Sequence, residues 1–172
     1  MSGALIVTAA LERRVHDRLT GERKAHFPAE RNFLDAHLTM FHALPPSCGA
    51  EAASLLKRIT NDCKPPRARL AEVISLGRGV AYKVESDDLR RIRDVIADHF
   101  HGMLTAQDSQ GWRPHITIQN KVKPFEAKAL LDEKREAFEP QPLDIIGLSL
   151  HRYMDGPWEK LGSWRFRGLD IA

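Results

Sequence analysis

The chain has 172 residues and a formal net charge of +3, from 26 basic and 23 acidic side chains. So small an excess excludes a protein that holds long nucleic acids by a strongly basic surface, but it allows an anionic ligand in one cleft. No stretch approaches the roughly 18 apolar residues of a membrane span, and Cys48 and Cys63 are expected to be free thiols. A single domain over residues 1–172, working as a cytoplasmic monomer, is therefore expected.

The first half of the chain alternates strand and helix signals. Residues 4–11, "ALIVTAAL", form a short apolar run typical of a strand, and the polar segment 12–27 indicates a short helix that Gly21 breaks. Residues 36–44, "AHLTMFHAL", alternate as a strand does and lead into a Pro-rich loop. Residues 50–63 then predict a helix, which "KPP" ends.

A hairpin and a long helix follow. The segments "RARLAEVISLG" and "GVAYKVES" lie on either side of "GRG" and are typical of paired strands. Ser86 is a favourable N-cap for the next helix, whose first turn is acidic. The apolar stripe of that helix consists of Leu89, Ile92, Ile96 and Phe100.

The remaining segments complete a repeated order of elements. A polar loop, "TAQDSQGWRP", leads into the strand "HITIQNKV", and a helix begins near Pro124. The strand "LDIIGLSLHRYM", the turn "DGPWEK" and the strand "LGSWRFRGL" come last. The order strand, helix, His-x-Thr strand, helix, strand thus occurs twice, over residues 4–78 and 79–168. This order predicts an α+β fold of two lobe-like halves related by a pseudo-twofold axis, with antiparallel sheets lining a central groove.

The two His-x-Thr strands, "HLTM" and "HITI", are the strongest functional signal. Because side chains alternate across a strand, His37 and Thr39 share one face, and so do His115 and Thr117. If the two halves face each other, two imidazoles and two hydroxyls surround one small volume. The residues expected to anchor these strands in apolar packing are Leu38, Met40, Ile116 and Ile118.

An arrangement of two imidazoles and two hydroxyls suits the cleavage of a phosphodiester. In-line displacement at phosphorus needs a base on the attacking oxygen and an acid on the departing one, and histidine exchanges protons near neutral pH. The threonine hydroxyls can donate hydrogen bonds to the non-bridging oxygens, where negative charge must be held. The pattern therefore predicts a catalytic site made of His37, Thr39, His115 and Thr117 that needs no metal and no cofactor.

The paired motifs, their separation and the repeated order resemble the two-histidine (2H) phosphoesterase superfamily over nearly the whole chain. That superfamily includes 2'-5' RNA ligase-like proteins and RNA 2',3'-cyclic phosphodiesterases, and the wider strings "HLTMFHALP" and "RPHITIQNKV" resemble a bacterial branch labelled 2'-5' RNA ligase. The resemblance implies a bilobal α+β fold with the motifs on facing strands. It also implies that His37 gives a proton to the leaving oxygen and His115 takes one from water, roles that a reversible reaction exchanges.

The expected activity is hydrolysis of a 2',3'-cyclic phosphate at an RNA end or on a nucleotide, with 2'-5' ligation as the reverse reaction. Superfamily substrates are diverse, so a cyclic dinucleotide or a 2'-5' oligonucleotide remains an alternative. A non-catalytic RNA- or nucleotide-binding module is a second alternative, which the two intact motifs disfavour. No membrane partner is expected.

Four further residues are candidates for substrate binding. Arg113, directly before the second motif, would contact phosphate or the leaving group, and Lys121 would add positive charge along the motif strand. Trp158 is the aromatic residue best suited to stack on a base, ahead of Trp112 and Tyr153. His42 lies at an odd offset from the motif, so on a regular strand it faces away from the site.

The other histidines offer no metal site. Neither His-x₃-His nor Cys-x₂-Cys spacing occurs, and no carboxylate clusters with the motif histidines. His99 and His101 fall at a helix end, where a cationic ring suits the C-terminal dipole. His16, His26 and His151 belong to no motif.

Overall fold

A computed structural model describes residues 3–172. Its helices are α1 (Arg13–His26), α2 (Gly49–Asp62), α3 (Asp87–His99), α4 (Ala106–Ser109) and α5 (Pro124–Ala137). Its strands are β1 (Leu5–Leu11), β2 (Leu38–Leu44), β3 (Arg69–Ser75), β4 (Val80–Glu85), β5 (His115–Gln119), β6 (Gln141–Pro142), β7 (Ile145–Tyr153) and β8 (Trp158–Arg165). The repeated order predicted from the sequence is present, and the α+β class is confirmed.

The strands form two four-stranded antiparallel sheets. The first sheet has the order β2-β1-β7-β8 and the second has the order β5-β4-β3-β6. The last strand of each repeat crosses to the other sheet, since β3 pairs with β4 and β7 pairs with β1. Each sheet therefore contains strands from both halves of the chain, and each contains one motif strand at an edge.

Alternation along the motif strands builds the core that holds them. The side chains of Leu38, Met40, Ile116 and Ile118 are completely buried, as predicted. The stripe predicted for α3 is also buried. Helix α2 packs on β7 and β8, and α5 packs on β3 and β4. Each motif strand is thus anchored by one face, which leaves the face with the His and Thr side chains available.

The predicted helix break at Gly21 is wrong. Helix α1 runs through this residue to His26, and a Cβ at position 21 would meet nothing within 4 Å. A glycine inside a helix costs about 1 kcal/mol relative to alanine. Burial of Leu19, Thr20 and Arg23 around it offsets that cost, and the Thr20 hydroxyl accepts a hydrogen bond from the Ala36 amide. Tertiary packing therefore overrides the local signal.

Three other local predictions need correction. The polar loop before the second motif contains α4, which the Thr105 side chain caps. Trp158, expected in a turn, is the first residue of β8, paired with Tyr153. Lys121 was expected to continue the second motif strand, but β5 ends at Gln119 and Lys121 has φ 63° in the following turn.

The helices of residues 3–172 are all too short or too polar to cross a lipid bilayer.

Candidate active site

The two motif histidines are held in the same way. His37 Nδ1 lies 2.8 Å from the Asp35 carbonyl, and His115 Nδ1 lies 2.8 Å from the Arg113 carbonyl. A carbonyl only accepts, so Nδ1 carries the hydrogen in both rings and donates it. In the neutral tautomer this leaves Nε2 unprotonated and able to accept a proton. The repeated architecture thus extends to the hydrogen bond that orients each imidazole.

The motif threonines are available to a ligand. Thr39 and Thr117 are partly buried, and within residues 3–172 neither hydroxyl has a hydrogen-bond partner. Thr39 pairs directly with Thr8 on β1, Thr8 pairs with Ser149, and Ser149 pairs with Ser163. Directly paired residues share a sheet face. A row of hydroxyls therefore crosses the first sheet, beginning at the motif.

Hydrogen bonds from the opposite half hold the motif strands together. Strands β2 and β5 contact each other. The Trp112 indole donates to the Thr39 carbonyl (3.0 Å), and the buried Arg93 guanidinium donates to the Met40 carbonyl (3.0 Å). Arg23 of α1, also buried, reaches the Thr117 carbonyl at 3.4 Å. Trp112, a candidate for base stacking, therefore packs between the halves and also lies under Arg90.

Burial and neighbouring groups control the protonation of His37. Burial lowers the pKa of His37 to about 4, although its hydrogen bond to the Asp35 carbonyl acts in the opposite direction. The positive charges that lower this pKa further are those of Arg23, His151 and His115. His37 is therefore neutral at pH 7 in the free protein.

His151, for which the sequence offered no role, lies in this site. Its Nε2 is 3.0 Å from the Thr8 hydroxyl, and its ring centroid is 5.3 Å from that of Trp158. Trp158 in turn lies 4.6 Å from the ring of His37. The alternation of "SLHRY" could have placed Ser149 and His151 on one face of the strand. Arg23 is one of four arginines on a polar helix, and no sequence signal distinguishes it.

Two cavities lie along the motif faces of the sheets; His37 lines one of them, and His115 lines neither. One, of about 510 Å³, lies beside His37 on the first sheet and is lined by His151, Trp158 and Lys160, among others. The other, of about 1030 Å³, lies on the second sheet and begins at Arg113, just before His115. We call them the sheet-1 cavity and the sheet-2 cavity.

The predicted substrate-binding residues are distributed unevenly. Trp158 lines the sheet-1 cavity and Arg113 lines the sheet-2 cavity. His42 instead donates from Nδ1 to the buried carboxylate of Asp108 at 3.0 Å, beside bulges that make β2 irregular. Lys121 is exposed in its turn and lines neither cavity. The structure thus brings Trp158 and Arg113, but neither His42 nor Lys121, to the cavities beside the motifs.

Among residues 3–172, no group of three or more His, Cys, Asp and Glu side chains is arranged to hold a metal ion.

Acidification is expected to destabilise the protein well above the pH at which carboxylates titrate. Burial lowers the pKa of His37 and of His151 to about 4, whereas an unfolded histidine titrates near 6.5. The unfolded chain therefore binds more protons between these values, and the free energy of unfolding should fall as the pH drops from 7 to 4. Urea denaturation across this range measures the effect. The double variant His37→Gln, His151→Gln should show a shallower decline, and a wild-type free energy that stays flat from pH 7 to 5 would contradict the prediction.

Comparison with known proteins identifies related sequences and folds. A model of the 2'-5' RNA ligase superfamily matches residues 8–157. The structure of TT0787 from Thermus thermophilus has a TM-score of 0.66 at 18% identity, covering 96% of this chain and 98% of that one. E. coli LigT complexed with NADP+ has a TM-score of 0.58 at 15% identity, and its complex with 3'-AMP has 0.58 at 14%; each covers 96% of this chain and 99% of LigT. A search of curated proteins found no match.

Proposed function

The chain belongs to the 2'-5' RNA ligase superfamily of 2H phosphoesterases, and on that basis we propose that it hydrolyses 2',3'-cyclic phosphates at RNA ends or on nucleotides without a metal. The observation that carries the proposal is the matched pair of His37 and His115. Each ring donates from Nδ1 to a carbonyl two residues earlier, so that Nε2 is left for proton transfer. LigT, a structural relative, has been crystallised with 3'-AMP, which is a ribonucleotide with a 3'-phosphate.

In the proposed reaction the cyclic phosphate lies between the two imidazoles. One Nε2 takes a proton from water as the water oxygen attacks phosphorus, and the other histidine gives a proton to the ribose oxygen as its bond to phosphorus breaks. The products are a free ribose hydroxyl and a phosphate monoester. Thr39 and Thr117, whose hydroxyls lack partners within residues 3–172, would donate to the non-bridging oxygens.

The low pKa of His37 bears on which of the two proton-transfer roles it can take. The lowered pKa of His37 means that it begins unprotonated at pH 7. To act as the acid it would have to gain a proton when the anionic phosphate binds, since a nearby negative charge raises the pKa of a histidine. The same low pKa lets it serve as the base in the free protein, which fits a reaction whose two directions exchange the roles.

The substrate's nucleoside would use the two cavities. Trp158, partly exposed beside His37, offers a ring on which a base can stack. Arg113 makes no ion pair or hydrogen bond through its side chain within residues 3–172, so its guanidinium is available for a phosphate or a leaving group. A cyclic dinucleotide or a 2'-5' oligonucleotide would present the same phosphodiester chemistry, and 2'-5' ligation is the reverse reaction.

Hydrolysis in the presence of EDTA tests the proposal. We expect turnover of 2',3'-cyclic AMP, and of RNA oligonucleotides that end in a cyclic phosphate, at rates that EDTA does not change. The two imidazoles supply the proton transfers themselves, which is the physical reason for this expectation. Cyclic dinucleotides and 2'-5' oligoadenylates assayed in parallel would identify the preferred substrate.

Two results would contradict the proposal. Loss of activity in EDTA would refute paired-histidine catalysis without a metal. Binding of all of these nucleotides with no turnover would instead indicate a nucleotide-binding module.

A further inference from the structure

The two cavities differ in how their charged side chains are paired. The sheet-2 cavity contains several carboxylates that pair with some of its cations, since Arg67 pairs with Asp88 and Arg69 pairs with Glu85. The sheet-1 cavity has a single lining carboxylate, that of Asp35, which lies 3.4 Å from His16. Each cavity thus keeps a cation with no carboxylate partner within residues 3–172, Arg113 in the sheet-2 cavity and Lys160 in the sheet-1 cavity, and it is the sheet-1 cavity that His37 lines.

Lys160 is the unpaired cation of the sheet-1 cavity. Its side chain lines the sheet-1 cavity and makes no ion pair or hydrogen bond within residues 3–172. On the neighbouring strand it pairs with His151, so the two side chains share the motif face of the first sheet. The adjacent Glu159 lies on the opposite face by alternation, so its carboxylate does not neutralise Lys160 from within the cavity.

Side chains around Lys160 can donate or accept hydrogen bonds. Ser149 and Ser163 lie in the same cavity with their hydroxyl oxygens 2.9 Å apart, which leaves at least one hydroxyl hydrogen for another acceptor. The Nδ1 atom of His151 has no partner within residues 3–172, because its contact with Thr8 uses Nε2. The contacts of Trp158 with both His151 and His37 make this polar region continuous with the catalytic histidine.

We propose that the sheet-1 cavity binds a second phosphate of the substrate, with Lys160 as its cation and the side chains of His151 and Ser163 as further hydrogen-bonding groups. The substrate class would then be nucleotides that carry, besides the cyclic phosphate held by the motif histidines, another phosphate on the same nucleoside. That phosphate can be a terminal 5'-phosphate or the phosphodiester that joins the nucleoside to a preceding one. The inference rests on the proposed function, because it takes the cyclic phosphate to lie at His37 and His115.

Binding of non-cleavable nucleotides tests this subsite independently of turnover. We would titrate the protein calorimetrically with 3'-AMP, with adenosine 3',5'-bisphosphate, and with a dinucleotide in which a phosphodiester joins a 3'-phosphorylated adenosine to a preceding adenosine. One charge-assisted hydrogen bond to the second phosphate should tighten binding about tenfold over 3'-AMP. In Lys160→Met this advantage should shrink to within about twofold, and Lys160→Arg should retain it. Lys57→Met, which removes an exposed lysine of α2, is the matched control and should retain it in full.

The titrations with the bisphosphate and the dinucleotide also distinguish the two sources of the second phosphate. An advantage for the bisphosphate alone would identify a terminal 5'-phosphate, and an equal advantage for the dinucleotide would identify a linkage phosphate. The subsite is refuted if the second phosphate gives wild-type protein no advantage, if none of the ligands binds, or if the advantage survives in Lys160→Met. Failure of the proposed function would appear separately, as absence of hydrolysis while the Lys160-dependent binding persists.

Discussion

Replacing either motif histidine with alanine is expected to lower kcat for cyclic-phosphate hydrolysis by about 10²- to 10⁴-fold, because each change removes one of the two proton-transfer groups. The variants His37→Ala and His115→Ala should remain folded, since both side chains lie on the open face of their strands while the opposite faces are completely buried. Steady-state kinetics with 2',3'-cyclic AMP measures the effect, and circular dichroism checks the fold.

A second substitution separates proton transfer from loss of the orienting hydrogen bond. Asparagine keeps an N–H near the position of Nδ1, so it can still donate to the Asp35 or Arg113 carbonyl, but it has no equivalent of Nε2. His37→Asn and His115→Asn should therefore be as inactive as the alanine variants. His101→Ala, an exposed histidine outside both cavities, is the matched control and should retain wild-type kcat. Wild-type turnover in either motif variant would refute the catalytic assignment.

Removing the motif hydroxyls is expected to have the next largest effect. In Thr39→Val and Thr117→Val the side chains keep their shape but cannot donate to a non-bridging oxygen, and loss of one such donor typically costs about 10²- to 10³-fold in kcat. Because negative charge on these oxygens builds up in the transition state, kcat should fall much more than KM rises.

Serine at the same positions distinguishes chemistry from packing. Thr39→Ser and Thr117→Ser restore the hydroxyl and lose only a methyl group, so we expect kcat to return to within about tenfold of wild type. Equal losses in the valine and serine variants would mean that these threonines act through packing rather than by donating a hydrogen bond.

Periodicity made the motif strands predictable, because alternation alone decides which side chains share a face. It placed Leu38, Met40, Ile116 and Ile118 in the core and left His37, Thr39, His115 and Thr117 on the other face. Ser86 and the apolar stripe of α3 were recognisable for the same reason, since a capping residue and a helical period are local properties.

The sequence does not indicate which strands become neighbours. The residues around His37 come from β1, β7, β8 and α1, and nothing local in the sequence links them. Thr8, Ser149 and Ser163 form a row only because β7 lies between β1 and β8, and Arg23 joins the site only because α1 packs near β5. Local irregularities explain the other misses, such as the turn at Lys121.

The exchange of strands between the sheets has a consequence for synthesis on the ribosome. Strand β1 is made well before β7, one of its two neighbours, whose Ile145 pairs with Leu11. At translation rates of about 5–20 residues per second, the apolar β1 keeps an open edge for on the order of ten seconds after β2 has been made. An unpaired apolar edge invites association with other chains. The edge of β1 is therefore exposed to such association until β7 emerges and closes the sheet that carries His37 and Thr39.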